Sequence, residues 1–523
     1  MATVELVIGL LAAIALLGVV AERARLPYPA ILVLGGIGLG VIPGLPAVRL
    51  DPKLVLFGFI PPLVYAAAFQ AARYELRLYA VQIVSLATGL VLLTVAAGGA
   101  VGHLVGGISW ASAFVFGALV APTDPVSASA VMSEVGAPER IVAILEGESL
   151  INDGTGLAIF QVAVAATVSG GFSVGHGALK LLEISAGGVA VGLAIGWVSV
   201  RIRRPLDAPS IEIVFGLLAA FGSYSAADAA GFSGVLAAVA AGLYTGRHAQ
   251  DISTPQSRLQ MEPVLDAVTF VLESVLFLLI GLQLRTIVNG IPHAHLARAG
   301  MTGAAAIVAM IALRAAWMLG ISPPLSRLLR AHVATVSRRE RVVLSWSGMR
   351  GALSLAGALS IPLVAGSSPF PARDEDIFLV YCVVLGTLIV PSFTLETLVR
   401  RLGLGQSDRL REQERRARIR VAHAALSQLE DIAERHDLPE ELLARLRGVY
   451  ELRLSRLESG LPGGTGDDAR DGGPDIQEVL HQLVAAQRQA LVELRSQRSA
   501  PAEVLAHIQH DIDLEETRLG SIA

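Results

Sequence analysis

Residues 118–161 read ALVAPTDPVSASAVMSEVGAPERIVAILEGESLINDGTGLAIFQ. This stretch lies in the middle of apolar sequence, yet it carries Asp124, Glu134, Glu146, Glu148 and Asp153. A carboxylate at membrane depth costs about 3 kcal/mol on insertion scales and more in simulations. Carboxylates kept in such a place usually bind or relay something, so the rest of the chain reads as scaffold and vestibule for this stretch.

The surrounding composition supports that reading. Of 523 residues, 53% are hydrophobic and 16% charged, where a soluble domain sits near a quarter charged. Mean hydropathy is +0.60. Thirteen apolar segments approach the length of about 20 residues that a spanning helix needs: 3–21, 26–44, 52–70, 78–103, 108–133, 141–169, 179–200, 209–229, 231–246, 262–286, 299–322, 341–363 and 376–399. The pair 209–229 and 231–246 is the one most open to miscounting. The expected fold class is therefore an all-α polytopic membrane protein of about 13 transmembrane helices over residues 1–403. A helical tail over 404–523 follows, with a flexible Gly/Asp-rich linker near 459–474.

Loop charge sets orientation. Arg23, Arg25, Arg73, Arg77, Arg201, Arg203, Arg204, Arg327, Arg330, Arg338 and Arg339 fall in alternate loops. The other side holds fewer basic residues, among them Arg49, Lys53, Lys180 and Arg373. This places the N-terminus outside and the C-terminus in the cytoplasm of a cell-membrane protein. The lone Cys382 excludes an intrachain disulfide. No HExxH, GxSxG, CxxC or Gly-rich dinucleotide pattern occurs, and the histidines lack metal-ligand spacing. The reading is not an enzyme, with no cofactor and no nucleic-acid partner.

Depth brings three charges together. At 1.5 Å per residue, Asp153 lies roughly 18 Å along its segment, Arg350 roughly 14 Å and Asp124 roughly 24 Å. All three fall in the middle third of a hydrocarbon core about 30 Å thick. Pro122 and Pro125 bracket Thr123–Asp124, remove two amide donors and break the helix there. Broken helices ending at the midplane are the usual substrate site of secondary transporters. A simple proline kink, with Asp124 capping the following half-helix, is the alternative and is compatible with a site.

At 100° per residue, Ser149 and Asp153 share a face, Glu146 lies two turns earlier on it, and Glu148 points about 140° away. Glu148 then needs a buried partner. Arg350, flanked by Gly348 and Gly351, is the natural candidate; Arg314 is the rival, and Asp124 is a second possible mate for either arginine. Asp153 is the expected ion and proton carboxylate. Thr123, Asp124, Ser149 and Asn152 surround it with the oxygens that a hard monovalent cation prefers. Asp228, Ser233 and Glu273 are weaker intramembrane polar residues.

Four stretches, GALVAPTDPVSASAV, EGESLINDGTGLAIF, GFSGVLAAVAAGL and WSGMRGALSLAGALSIP, resemble the monovalent cation:proton antiporter-1 family in its bacterial Na+/H+ exchanger type. The resemblance covers about residues 1–400, and the tail ending in DIDLEETRL is similar to bacterial members. It implies inverted repeats, crossing broken helices, a homodimer, and exchange of Na+, or of Li+ or K+, for H+ across the lipid bilayer. It also implies that Asp153 carries ion and proton, with Thr123, Asp124 and Ser149 around it, and that Glu148 pairs with Arg350. The Asn152–Asp153 pair resembles electroneutral members that exchange one cation for one proton. One departure stands out: many members carry an acid a few positions after the Pro-Pro of the third helix, where this chain has Ala66. A channel or uniport pathway without obligatory proton exchange is the alternative from another class. A regulatory scaffold driven by the tail is a third.

Overall fold

A computed structural model describes residues 2–24, 26–42, 53–71, 76–169, 174–204, 208–252, 255–322, 336–365, 368–404, 408–435, 440–458, 474–497 and 502–520. Arg25, Arg49, Arg73, Arg327, Arg330 and the linker up to residue 473 lie outside the described residues.

The chain divides into two compact units. The first comprises Met1–Leu206, Ile213–Ala249 and Val264–Gly405. Its early helices are α1 (Ala2–Ala24), α2 (Tyr28–Val41), α3 (Ile60–Ala71), α4 (Ala80–Val84) and α5 (Val91–Leu104). Pro61 and Pro62 cannot donate to the preceding turn, and the wide π-helical turn Leu54–Phe59 sits just before them. Then come α6 (Trp110–Leu119), α7 (Val126–Glu134), α8 (Glu139–Ser169), α9 (Val174–Arg203), α10 (Pro209–Ala229), α11 (Gly234–Ile252) and α12 (Pro255–Leu282). The last group is α13 (Leu284–Asn289), α14 (His293–Ala316), α15 (Arg338–Trp346), α16 (Ala352–Leu359) and α17 (Arg373–Arg401).

Among the described residues, nine helices are long and apolar enough to cross a membrane. The expected segments 108–133 and 341–363 are each two half-helices with an extended break between them, α6/α7 and α15/α16. The doubtful pair resolves into two separate helices, α10 and α11. Ser233 accepts the Leu236 amide at 3.2 Å and so caps α11, a structural role.

The core of this unit gathers where α5, α6 and α17 pack, around Val95, Phe116, Leu119, Leu379 and Val383. A second cluster, Met132, Ile141, Ile144, Leu344, Met349 and Val399, seats the first turns of α8 and the end of α15. Ser337 and Glu340 form a reciprocal capping box at the start of α15. Buried Glu340 also pairs with Arg140 at the start of α8.

The second unit comprises Asp207–Glu212, Gln250–Pro263 and Gln406–Ala523. Its helices α18 (Asp408–Arg435), α19 (Glu440–Glu458), α20 (Pro474–Ser496) and α21 (Ala502–Gly520) form a small bundle. Ala417, Val421, Ala425, Leu429 and Ile432 recur at three- and four-residue spacing and are all buried. They face Leu446, Tyr450, Leu483, Leu491 and Ile508.

Candidate functional site: two crossing breaks beside an acidic cavity

Prolines open the first break. From Val120 to Pro125 the chain is not helical, so the last carbonyls of α6 and the first amides of α7 have no partner within their own helices. The second break, Ser347–Gly351, crosses it and supplies what is missing. The Asp124 amide donates to the Met349 carbonyl at 2.8 Å. The Arg350 Nε donates to the Val120 carbonyl at 3.0 Å, and its Nη1 donates to the Gly348 carbonyl. The Arg350 amide is held by the Thr387 hydroxyl at 3.2 Å. Asp124 Oδ1 accepts the Val126 amide at 3.0 Å, capping α7.

Charge therefore matches helix ends, with a cation at the C-terminus of α6 and an anion at the N-terminus of α7. The crossing is close. A Cβ on Gly351 would lie 2.1 Å from Asp124 Oδ2, and one on Gly348 would lie 2.4 Å from Arg314 Cδ.

The expected Glu148–Arg350 pair does not form. Arg314, the rival, takes both oxygens of Glu148, Nη1 to Oε1 at 2.5 Å and Nη2 to Oε2 at 2.7 Å. Its Nε donates to the Leu344 carbonyl at 2.8 Å near the end of α15. Both partners are buried, Glu148 at 1% and Arg314 at 2% exposure. The physical reason is competition for the arginine. The break leaves carbonyls that only Arg350 is placed to satisfy, while Arg314 comes from an unbroken helix with its fork free.

The carboxylate set follows α8. Ser149 Oγ donates to Asp153 Oδ2 at 3.5 Å, and Asn152 Nδ2 donates to Thr123 Oγ1 at 2.6 Å. Thr123 Oγ1 in turn donates to Glu148 Oε1 at 3.4 Å. Thr123 thus joins the first break to the Glu148–Arg314 pair. Asn152 is fully buried, and its Oδ1 accepts no hydrogen bond from the described residues.

A cavity of about 120 Å3 opens at this point. Asp124, Thr123, Glu146, Ser149 and Asp153 line it, together with Gly351 and Ser354 of the second break and α16. The remaining wall comes from α3 and the turn before it, with Leu63, Val64 and Ala67, and from α12, with Glu273, Leu276 and Phe277. Asn152, Glu148, Arg314 and Arg350 lie behind the lining. Asp228 is exposed near the end of α10, outside the cavity. Ser354, Thr387 and the Met349 carbonyl had no signal in the sequence beyond their nearness to Arg350 or to Pro391. Glu273 had one, an acid inside an apolar run.

A polytopic helical protein whose two interrupted helices cross beside a buried acidic cavity has the build of a secondary transporter. Residues 9–401 match the sodium/hydrogen exchanger transmembrane family. The chain is 32% identical to a Na+/H+ exchanger of Mycobacterium bovis, itself uncharacterized, over 98% of this chain and 95% of that one. It is 33% identical to the Na+/H+ antiporter ApNhaP of Aphanothece halophytica, over 73% of this chain and 70% of that one. The sodium proton antiporter MjNhaP1 of Methanocaldococcus jannaschii has a similar fold. Its TM-score is 0.59 at 20% identity, covering 78% of this chain and all of that one. The chain belongs to the sodium/hydrogen exchanger family, a family of transporters.

Proposed function

We propose that this protein is a secondary active antiporter that exchanges a monovalent cation, Na+ first and Li+ or K+ in its place, for one proton. Asp153 holds either the cation or the proton. Thr123, Asp124, Ser149 and Asn152 shape the oxygen-rich surroundings, and the Glu148–Arg314 pair with the Arg350 clamp keeps the crossing rigid. Loaded Asp153 passes between inner and outer access; the empty, charged site is the poorly moving state, which couples the two fluxes. The protein works as a homodimer in the cell membrane, with the N-terminus outside and the C-terminus in the cytoplasm. Residues 1–403 form the transport domain and 404–523 a cytoplasmic helical tail.

One observation supports this reading above the others. Asp153 meets the cavity at the crossing of two broken helices, with only oxygen-bearing or apolar side chains lining the space. The relatives' names point the same way, toward exchange of Na+ for H+.

The test is proton movement in everted vesicles, by dye dequenching, on adding Na+, Li+ or K+ to wild type and Asp153→Asn. Cation-evoked proton movement that vanishes in the variant supports the proposal. Lowering pH raises the apparent Km for the cation, because both ligands compete for one carboxylate. Current without proton movement moves the reading to a channel. Proton and cation binding that prove independent overturn the competition.

A further inference from the structure

Helices α15 and α17 run side by side in opposite directions, and side-chain contacts pin them along one seam. At the end of α15, the Trp346 indole N–H donates to Thr394 Oγ1 of α17 at 2.8 Å. At the start of α15, Arg339 Nη1 donates to the Leu402 carbonyl at the end of α17, at 3.4 Å. The contacts are two turns apart on both helices, so they fix the pair along its length. Below Trp346, α17 continues the seam as a straight surface stripe. Val390, Thr394, Thr397 and Arg401 follow at steps of four, three and four residues, and all are exposed. Phe393 is exposed beside them.

The stripe is ordered by chemistry: apolar, then hydroxyl, then cation. From Val390 to Arg401 it covers roughly 16 Å, about half of a hydrocarbon core about 30 Å thick. Its cationic end is not balanced from within. Arg338 and Arg339 in the first turn of α15 and Arg401 in the last turn of α17 are exposed. No described carboxylate pairs with any of the three. The acids next to them in the chain are already used, Glu340 by Arg140 and the Ser337 amide, and Glu396 by Arg400. Arg339 and Arg401 suit the carboxyl end of α17, which favours cations. Arg338 has no such support, since it stands at the amino end of α15, which repels them. Cations gathered at one end of a seam call for an anion from outside the chain.

We propose that the α15–α17 seam binds an anionic phospholipid, with its phosphate on Arg338, Arg339 and Arg401, its ester region on Thr394 and Thr397, and an acyl chain along Val390 and Phe393. A zwitterionic headgroup brings its own ammonium to the arginines and is held less well; a net negative one is favoured at each arginine. Loop charge puts this end on the cytoplasmic side, so the lipid comes from the inner leaflet. The site bears on the crossing. α15 is the half-helix that leads into the second break, and α17 carries the Thr387 hydroxyl that holds the Arg350 amide. A lipid bridging Arg339 and Arg401 keeps these two helices together at their far end.

The purified full-length protein is melted in mixed micelles, with dioleoyl phosphatidylglycerol replacing dioleoyl phosphatidylcholine stepwise at constant total lipid. Lipid that binds the folded state raises the melting temperature according to its affinity. Phosphatidylglycerol raises it in wild type, and inorganic phosphate added to phosphatidylcholine micelles does not. In the double variant Arg339→Gln/Arg401→Gln, the phosphatidylglycerol fraction giving half the rise goes up about tenfold, equivalent to about 1.4 kcal/mol. The control is Arg201→Gln. Arg201 is also exposed and lies on the same side by loop charge, but it stacks on Trp197 of its own helix at 5.6 Å. Its loss leaves the midpoint in place.

Equal melting in the two lipids overturns the proposal, and so does a wild-type midpoint in a monodisperse double variant. A rise reproduced by inorganic phosphate reduces the arginines to a patch for any anion and overturns the lipid site. An equal shift in Arg201→Gln assigns the effect to total surface charge and overturns it too. If the double variant does not stay monodisperse, Arg401→Gln alone carries the test, because Arg401 is exposed and its side chain joins no hydrogen bond among the described residues. Its midpoint goes up about threefold or more, and an unchanged midpoint sinks the proposal. None of these readings depends on transport, so wild type that binds the lipid but moves no protons overturns the exchange reading and leaves the seam standing.

Discussion

The two breaks are alike in backbone and opposite in chemistry. The first, Val120–Pro125, is opened by prolines and presents an anion, Asp124, to the cavity. The second, Ser347–Gly351, contains no proline but two glycines, Gly348 and Gly351, and turns its cation, Arg350, away from the cavity onto carbonyl groups. One break is built to meet an ion and the other to hold the first one open. The crossing is stable because each supplies what the other lacks: an arginine for the freed carbonyl of Val120, and a carbonyl for the freed amide of Asp124. Beside them lies a third buried charge pattern, Glu148–Arg314, which is a closed pair with no share in the cavity.

These differences rank the expected effects of substitution. Arg314→Ala is the most damaging to stability, because it leaves Glu148 buried with Thr123 as its one remaining hydrogen-bond donor among the described residues. Breaking one side of a buried pair costs about 3–5 kcal/mol, which a melt of the detergent-solubilised protein reads directly. Arg350→Gln gives up charge-assisted bonds to carbonyls without orphaning an opposite charge, and costs about 1.5–3 kcal/mol. If the two arginine variants melt alike, the distinction between closed pair and clamp is wrong.

Gly351→Ala drives a methyl into Asp124 and spreads the crossing. The overpacking costs about 1–3 kcal/mol, and transport falls further than stability because Asp124 lines the cavity. Asp124→Asn separates the two duties of that residue. The amide oxygen still caps α7, so the melt changes by a few tenths of a kcal/mol, while Asp124→Ala loses the cap at about 1 kcal/mol. In vesicles, both lose cation-driven proton movement. Transport that survives in Asp124→Asn reduces Asp124 to a cap.

The smallest effect lies in the helical tail. Arg415 and Arg416 hydrogen bond to Glu412 and pull its carboxyl down from 4.5 to about 2. Its folded value is the lower one, so the contribution is complete above pH 4.5 and disappears as pH falls toward 2. Glu412→Gln therefore speeds amide exchange slightly in α18 at neutral pH. The gap to wild type closes in strong acid. A gap that persists there assigns the effect to helix propensity instead. Exposed pairs of this kind contribute little, in contrast to Glu148–Arg314.

Much of this was legible before any tertiary contact was known. Apolar runs located the long helices, and Pro122 and Pro125 located the first break, because a missing amide and a steric clash act through the chain alone. The fixed 100° step put Ser149 and Asp153 on one face and turned Glu148 off it, as the hydrogen bond at 3.5 Å and the buried pair bear out. In the tail, Ala417, Val421, Ala425 and Leu429 recur every four residues and are buried.

What periodicity could not supply was the identity of neighbours on other helices. Arg314 and Arg350 both lay in apolar segments and both were candidates to reach Glu148. Only the crossing, which leaves the Val120 carbonyl waiting beside Arg350, decided between them. Glu273 looked like any acid in an apolar run until α12 was packed against the cavity. The sequence alone determined which segments span, where one of them breaks and which faces its polar residues share, since these follow from local covalent geometry and the cost of polar groups in lipid. Tertiary structure alone decided which charge meets which, because that depends on distances between helices far apart in the chain.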